Sequence, residues 1–301
     1  MRQSLIVTNI EGVAAAAETT ARQEERAGRQ PLASLYDTAL LDLDGVVYRG
    51  KDAVPHAVPT LLSAADAGMH LAYVTNNASR TPDAVAAHLR QLGLPAEPSD
   101  VVTAAQAVAR LIAEQVPQGA PILVIGGEGL RQALLEHGLT LVDSAEDTPA
   151  AVVQGYRPDT SWKELAEAAY AVEQGVPWFA ANTDRTMPTA RGIAPGNGAL
   201  VGAVAAATGT WPTVAGKPEP ALHRETMIRT RARRPLVVGD RLDTDIEGAN
   251  RAGVDSLLVL TGVTRLPDVR KAPEEQQPTY LAEDLRALLE PNRLITDWRE
   301  G

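Results

Sequence analysis

An uninterrupted apolar run beginning at Thr38 ends abruptly in Asp42-Leu43-Asp44-Gly45, and no other stretch restricts the fold as much. The run predicts a buried strand, and Gly45 lets the backbone turn away tightly behind it. Two carboxylates one residue apart at a strand end repel one another. The site therefore needs a cation or raised pKa values, and a hard Mg2+ ion with oxygen ligands is the economical solution. Taken alone, the same residues would serve as an acidic strand-to-turn junction facing water. The rest of the chain decides between the two readings.

With 301 residues, 45% of them hydrophobic, the chain is long enough for two domains with real cores. A formal net charge of −10 provides no basic face, so neither nucleic acid nor a membrane surface is an expected partner. Cysteine is absent, which excludes disulfides, thiolate metal sites and a cysteine nucleophile, and fits a reducing cytoplasm. Leu5-Ile6-Val7 is too short for a signal-peptide core or a membrane span. Residues 1–35 read as a polar leader, with 11–34 a solvated tail or marginal helix that has little to bury.

Beyond Gly50 the pattern alternates between strand and helix. Pro55 opens a helical run closed by Gly68, and Leu71 to Thr75 is a second strand, ending in Thr75-Asn76-Asn77. Thr81-Pro82 starts the next helix, which runs to Leu92. An alanine-rich helical run follows and ends near Val116. The pattern then restarts, with strands at 122–125, 139–142, 151–154 and 178–181, helices at 128–137 and from Ser161 to about Gln174, and a long aperiodic loop from Asn182 to Gly198. Gly126-Gly127-Glu128-Gly129 lacks the spacing of a nucleotide loop and reads as an ordinary strand-to-helix turn. After a helix at 199–208 comes Gly216-Lys217-Pro218, then a strand at 235–238 that ends in Gly239-Asp240-Arg241-Leu242-Asp243-Thr244-Asp245. Ser256 to Leu260 is the last clear strand and Tyr280 to Leu289 a terminal helix. Polar groups at three strand ends can converge on one site, because ligands of open parallel sheets gather outside the carboxyl ends of the strands.

Asp42-Leu43-Asp44-Gly45, Thr75-Asn76-Asn77, Lys217 and Gly239 to Asp245, in this order and each beside a strand, resemble the four motifs of the haloacid dehalogenase-like phosphatases. The α/β insertion between the second and third motifs resembles the C2-capped branch, which holds NagD, p-nitrophenyl phosphatases, phosphoglycolate phosphatases and pyridoxal phosphate phosphatases. Within it the chain looks most like actinobacterial glycerol 3-phosphate phosphatases. Some of those carry a further C-terminal domain, which a chain of this length is not expected to contain. The resemblance implies a Rossmann-like parallel-sheet core at 36–103 and 211–301, with an α/β C2-type cap at 104–210.

The resemblance also implies roles. Asp42 is the expected nucleophile, forming an aspartyl phosphate, and Asp44 the expected acid and base. Mg2+ is expected on the Asp42 carboxylate, the Asp44 backbone carbonyl and Asp240, with Asp245 orienting metal-bound water or Lys217. Thr75, the amides of Asn76 and Asn77, and Lys217 are expected to balance charge on the phosphoryl oxygens. Selectivity falls to the cap, where Asn182, Asp184, Met187 and Arg191 are the candidates to touch the substrate. Pyridoxal phosphate phosphatases of this branch place a histidine where this chain has Met187, which cannot donate that hydrogen bond. A small non-aromatic ester, glycerol 3-phosphate or phosphoglycolate, is therefore the expected substrate, with nucleoside monophosphates or pyridoxal phosphate as alternatives. A phosphate-binding regulator that keeps the fold without turnover is the reading from another class, and the presence of both Asp42 and Asp44 speaks against it. The expected partner is a small phosphorylated metabolite, and any homodimer is expected to form through the cap.

Overall fold

The computed structural model describes residues 30–189, 191–291, 294, 295 and 298. Leu32–Leu35 forms a short helix α1, which leads into strand β1 at Thr38–Leu41. A tight hairpin of β2 (Tyr48–Arg49) and β3 (Asp52–Ala53) follows, then α2 (Ala57–Asp66), β4 (His70–Thr75), α3 (Pro82–Gln91) and β5 (Val101–Thr103). Helix α3 begins as its sequence dictates, with Thr81 Oγ1 accepting from Ala84 N and Pro82 in the first turn. Helix α2 begins two residues later than expected, because His56 takes a left-handed conformation ahead of Ala57.

Helix α4 (Ala104–Ala113) leaves this first sheet directly from the capping box Thr103–Gln106. Next come β6 (Pro121–Ile125), α5 (Glu128–Glu136), β7 (Thr140–Val142), β8 (Ala151–Gln154), α6 (Trp162–Glu173) and β9 (Trp178–Ala180). The expected aperiodic loop contains a hairpin, β10 (Thr186–Thr189) against β11 (Gly192–Pro195). Pro188 and Pro195 fall inside its two strands, which pair only with each other. Helix α7 (Asn197–Thr208) and β12 (Thr213–Val214) complete a five-stranded parallel sheet ordered β12-β9-β8-β6-β7. The second sheet thus takes a strand from beyond residue 210.

The chain then returns through α8 (Ala221–Thr230), β13 (Pro235–Gly239), α9 (Glu247–Ala252), β14 (Asp255–Val259), α10 (Leu266–Lys271) and β15 (Tyr280–Ala282). The larger sheet is ordered β15-β14-β13-β1-β4-β5, all parallel, with β1 in the middle. Strand order runs outward in both directions from β1, the topology that opens a crevice at the carboxyl ends of the central strands. Together the parallel sheets and flanking helices make the expected α/β fold.

Two expectations fail at the ends of the chain. Tyr280–Ala282 is a strand on β14 and only Leu285–Leu288 is helical, as a 3-10 turn capped by Asp284. At the other end, Leu32 is completely buried in the main core and Pro31 bridges Pro291, so the polar leader does not extend to residue 35. The expectation for residues 1–29 falls outside the described residues.

The two sheets share one apolar cluster. Leu40, Val74 and Val237 of the first join Ile122, Val124 and Phe179 of the second, with most of α4 and Leu222 of α8 between them. Arg110 on α4 forms an ion pair with Glu225 on α8, whose other oxygen receives Arg229 Nε at 2.5 Å. Glu225 is buried, so the two cations compensate a charge that would otherwise be expensive in this position. A second seam lies at the expected ordinary turn, where Gly129 N donates to Ser79 O at 3.2 Å. A Cβ on Gly129 would fall 2.3 Å from the Arg80 carbonyl oxygen, so only glycine permits this approach of α5 to the loop after β4.

Candidate active site

Asp42 follows β1, its N–H donating to Val238 O at 2.8 Å, which fixes it at the carboxyl end of the central strand. Asp240 follows β13 on one side and Thr75 ends β4 on the other. The register pairs Leu41 with both Val238 and Tyr73, so Asp42 emerges one residue below the common level of Asp240 and Thr75.

Carboxylate oxygens of Asp42, Asp240 and Asp245 lie within 4.8 Å of one another, the one such acidic group among the described residues. Lys217 Nζ bridges two of them, donating to Asp42 Oδ1 at 2.5 Å and to Asp245 Oδ1 at 2.6 Å. Burial by itself would lower the Lys217 pKa, but Asp245 and Asp42 outweigh it and hold the amine well above its usual range. Burial raises Asp42, against the pull of Lys217. Asp240 is pushed up to about 6, chiefly by burial and then by Asp245. Its Oδ2 accepts from Val263 N at 2.5 Å, while Oδ1 is buried without a protein partner. An orphaned carboxylate oxygen in a set of oxygen donors is what a divalent cation such as Mg2+ requires. Glycines pack on the same carboxylate: a Cβ would sit 2.8 Å from Asp240 Oδ2 on Gly45 and 1.8 Å from it on Gly262.

The chain after Asp42 curls tightly, with the N–H groups of Val46, Val47 and Tyr48 all donating to Leu43 O. Gly45, at φ +89°, makes that curl possible. Asp44 is left open to solvent, and its carboxyl is absent from the acidic group. Desolvation by the surrounding pocket raises its pKa, opposed by the charges of Arg80, Lys217 and His88. Arg80 lies five residues beyond Thr75, and no pattern in the sequence marks it.

Of the expected phosphate-binding groups, Thr75 is buried at the end of β4 and Lys217 is buried in the turn between β12 and α8. The Asn77 amide donates to Thr75 Oγ1 at 3.1 Å, and Asn77 Oδ1 accepts from Ser79 N and Oγ. The Asn76 side chain turns to Lys217: Oδ1 accepts from Lys217 N at 2.8 Å and Nδ2 donates to Lys217 O at 3.1 Å. Asn182 and Asp184 join this network, Asn182 Nδ2 donating to Asn76 O at 2.7 Å and Asp184 Oδ2 accepting from Asn76 Nδ2 at 3.4 Å. Burial raises the Asp184 pKa. Met187 lies within β10, paired with Ala194, and the exposed Arg191 lies in the turn between β10 and β11, both farther along the chain than Asn182 and Asp184. A cleft of about 840 Å³ opens beside Lys217, between Asp184, Arg185 and Trp211 on one side and Arg241 and Thr244 on the other. Arg241 is held by Asp243 through bonds of 3.0 and 2.8 Å.

Models of two families match the chain, haloacid dehalogenase-like hydrolase over residues 39–140 and HAD-hydrolase-like over 214–288. D-glycerol 3-phosphate phosphatase of Mycobacterium tuberculosis is 49% identical over 264 residues, 88% of this chain and 74% of that protein. An acid sugar phosphatase of Staphylococcus aureus is 36% identical over 83% of this chain and 95% of its own length. The crystal structure of the M. tuberculosis glycerol phosphate phosphatase with magnesium superposes with a TM-score of 0.84, covering 87% of this chain and 80% of that one. 4-Nitrophenylphosphatase from Thermotoga maritima, 26% identical, superposes with a TM-score of 0.78 over 86% of this chain and 98% of its own.

Proposed function

The chain belongs to the haloacid dehalogenase-like hydrolases, and on that premise we propose that it is a Mg2+-dependent phosphatase of small phosphate monoesters, glycerol 3-phosphate foremost. The observation that carries the reading is the bridge of Lys217 between Asp42 and Asp245, beside the orphaned oxygen of Asp240, at the carboxyl ends of adjacent strands. A regulator without turnover would have no use for a nucleophile held this way.

Asp42 attacks phosphorus as the P–O bond to the leaving group breaks, giving an aspartyl phosphate. Asp44, with its pKa raised, gives its proton to the departing alkoxide. It then takes a proton from the water that attacks phosphorus, which breaks the acyl phosphate and restores Asp42. Lys217 and Thr75 face the charge that spreads over the phosphoryl oxygens. Asp42, Asp240 and the Asp44 carbonyl would hold Mg2+, which when bound neutralises charge on the phosphoryl group.

The 49% identity to a glycerol 3-phosphate phosphatase supports that substrate, and so does the apolar Met187 on the cap hairpin. The absence of cysteine supports a cytoplasmic setting, and no helix among the described residues is long and apolar enough to cross a membrane. Phosphate release from a panel of small esters tests the reading. Glycerol 3-phosphate should be turned over with Mg2+ and not with a chelator, and Asp42→Asn should fall below about a hundredth of wild type with its fold retained. Full turnover without metal, or an active Asp42→Asn, would end it.

A further inference from the structure

Asn76 commits its whole side chain to residues far away in sequence. It pairs with both the N–H and the C=O of Lys217, as a neighbouring strand would, and so fixes the backbone from which the lysine side chain departs. Its second amide hydrogen goes to Asp184, and its own carbonyl accepts from Asn182. Asn182 O accepts in turn from Asn197 Nδ2 at 2.7 Å, in the first turn of α7. Gly216, ahead of Lys217, is packed against this clasp: a Cβ there would lie 2.8 Å from Asn76 Oδ1 and 2.5 Å from Ala181 O. A residue that merely closed a turn would need none of this, and the neighbouring Asn77 already does so through Ser79.

The geometry points to Asn76 as the positioning residue that sets Lys217 against Asp42 and ties that setting to the root of the cap hairpin through Asp184 and Asn182. This rests on the phosphatase reading and adds to it a route by which the cap reaches the chemistry, through hydrogen bonds to the lysine and not only by roofing the substrate. The small displacement that loss of the clasp permits is enough to matter, because misplacement by about 1 Å can cost a hundredfold in rate.

Asn76→Asp preserves shape but turns an acceptor toward Lys217 O and toward the Asp184 carboxylate. Assayed as the full chain with Mg2+, on p-nitrophenyl phosphate and on glycerol 3-phosphate, it should lose about 30-fold in kcat on both with KM changed less than about threefold. Its Tm should stay within about 3 °C of wild type. Asn76→Ala removes all three side-chain bonds without adding repulsion and should lose about tenfold in kcat. The double variant Asn76→Asp/Asp184→Asn should regain at least about fivefold over Asn76→Asp, because the introduced amide can donate to the introduced carboxylate. Wild-type kcat in Asn76→Ala, a double variant no faster than Asn76→Asp, or losses that follow Tm would each overturn the assignment while leaving the phosphatase reading intact. A wild-type protein that releases no phosphate would instead remove the reading on which it rests.

Discussion

His223 should make stability depend on pH in a window that can be read directly. The imidazole lies buried on α8 behind Lys217, and neither ring nitrogen has a hydrogen-bond partner in the structure. A Cβ on Gly248 would come within 3.0 Å of Nε2, so α9 is packed against the ring. Burial first, and the charge of Lys217 second, lower its pKa from 6.5 to about 4, with Asp245 opposing. Between those values the unfolded chain takes up a proton that the folded chain refuses. Stability is therefore intact above pH 6.5 and falls as pH falls toward 4. At 1.36 kcal/mol per pKa unit the full loss is about 3 kcal/mol, and about 2 kcal/mol of it comes between pH 7.5 and 5. Urea unfolding at those two pH values, compared between wild type and His223→Leu, isolates this contribution from the carboxylates that titrate in the same range. The variant should lose about 2 kcal/mol less than wild type on acidification. Equal losses would mean that the ring is protonated in the folded protein or is not buried.

Leu32→Ala should destabilise by about 2–5 kcal/mol in urea unfolding, since the side chain is fully buried in the main core; a change under about half a kcal/mol would return α1 to the solvated leader. Gly262→Ala should drive Asp240 from its place and raise the Mg2+ concentration for half-maximal activity by about 10–100-fold, and an unaltered Mg2+ titration would refute that placement.

Where one segment carries its own information, the chain could be read without the structure. Thr38 to Asp42 announces a buried strand with a reactive end, and Thr81-Pro82 and Ser161 announce helix starts that are present as capped turns. The failures come where distant partners decide. Tyr280, Leu281 and Ala282 continue into Leu285 and Leu288 at helical spacing, and only the pairing with β14 makes the first three a strand. Val101–Thr103 is too short for a period and is defined by β4 beside it. Leu32 sits in a polar surrounding sequence whose average hides it. Asp42, Thr75 and Asp240 converge because each ends or follows its own strand of one sheet, whereas the side chain of Asn76 finds its partner 141 residues away.

The apolar cluster common to both sheets also determines where this protein can be recombined. A cap exchanged with a relative by cutting before Ala104 would import a foreign α4 into a space shaped by Val74, Leu222 and Val237. It would also have to supply a match for Arg110 opposite the buried Glu225. By its packing the helix is part of the chassis, although in the chain it precedes every strand of the inserted sheet. A chimera joined after Ala113, with its return joint past Val214, keeps that chassis whole and exchanges only what lies above it.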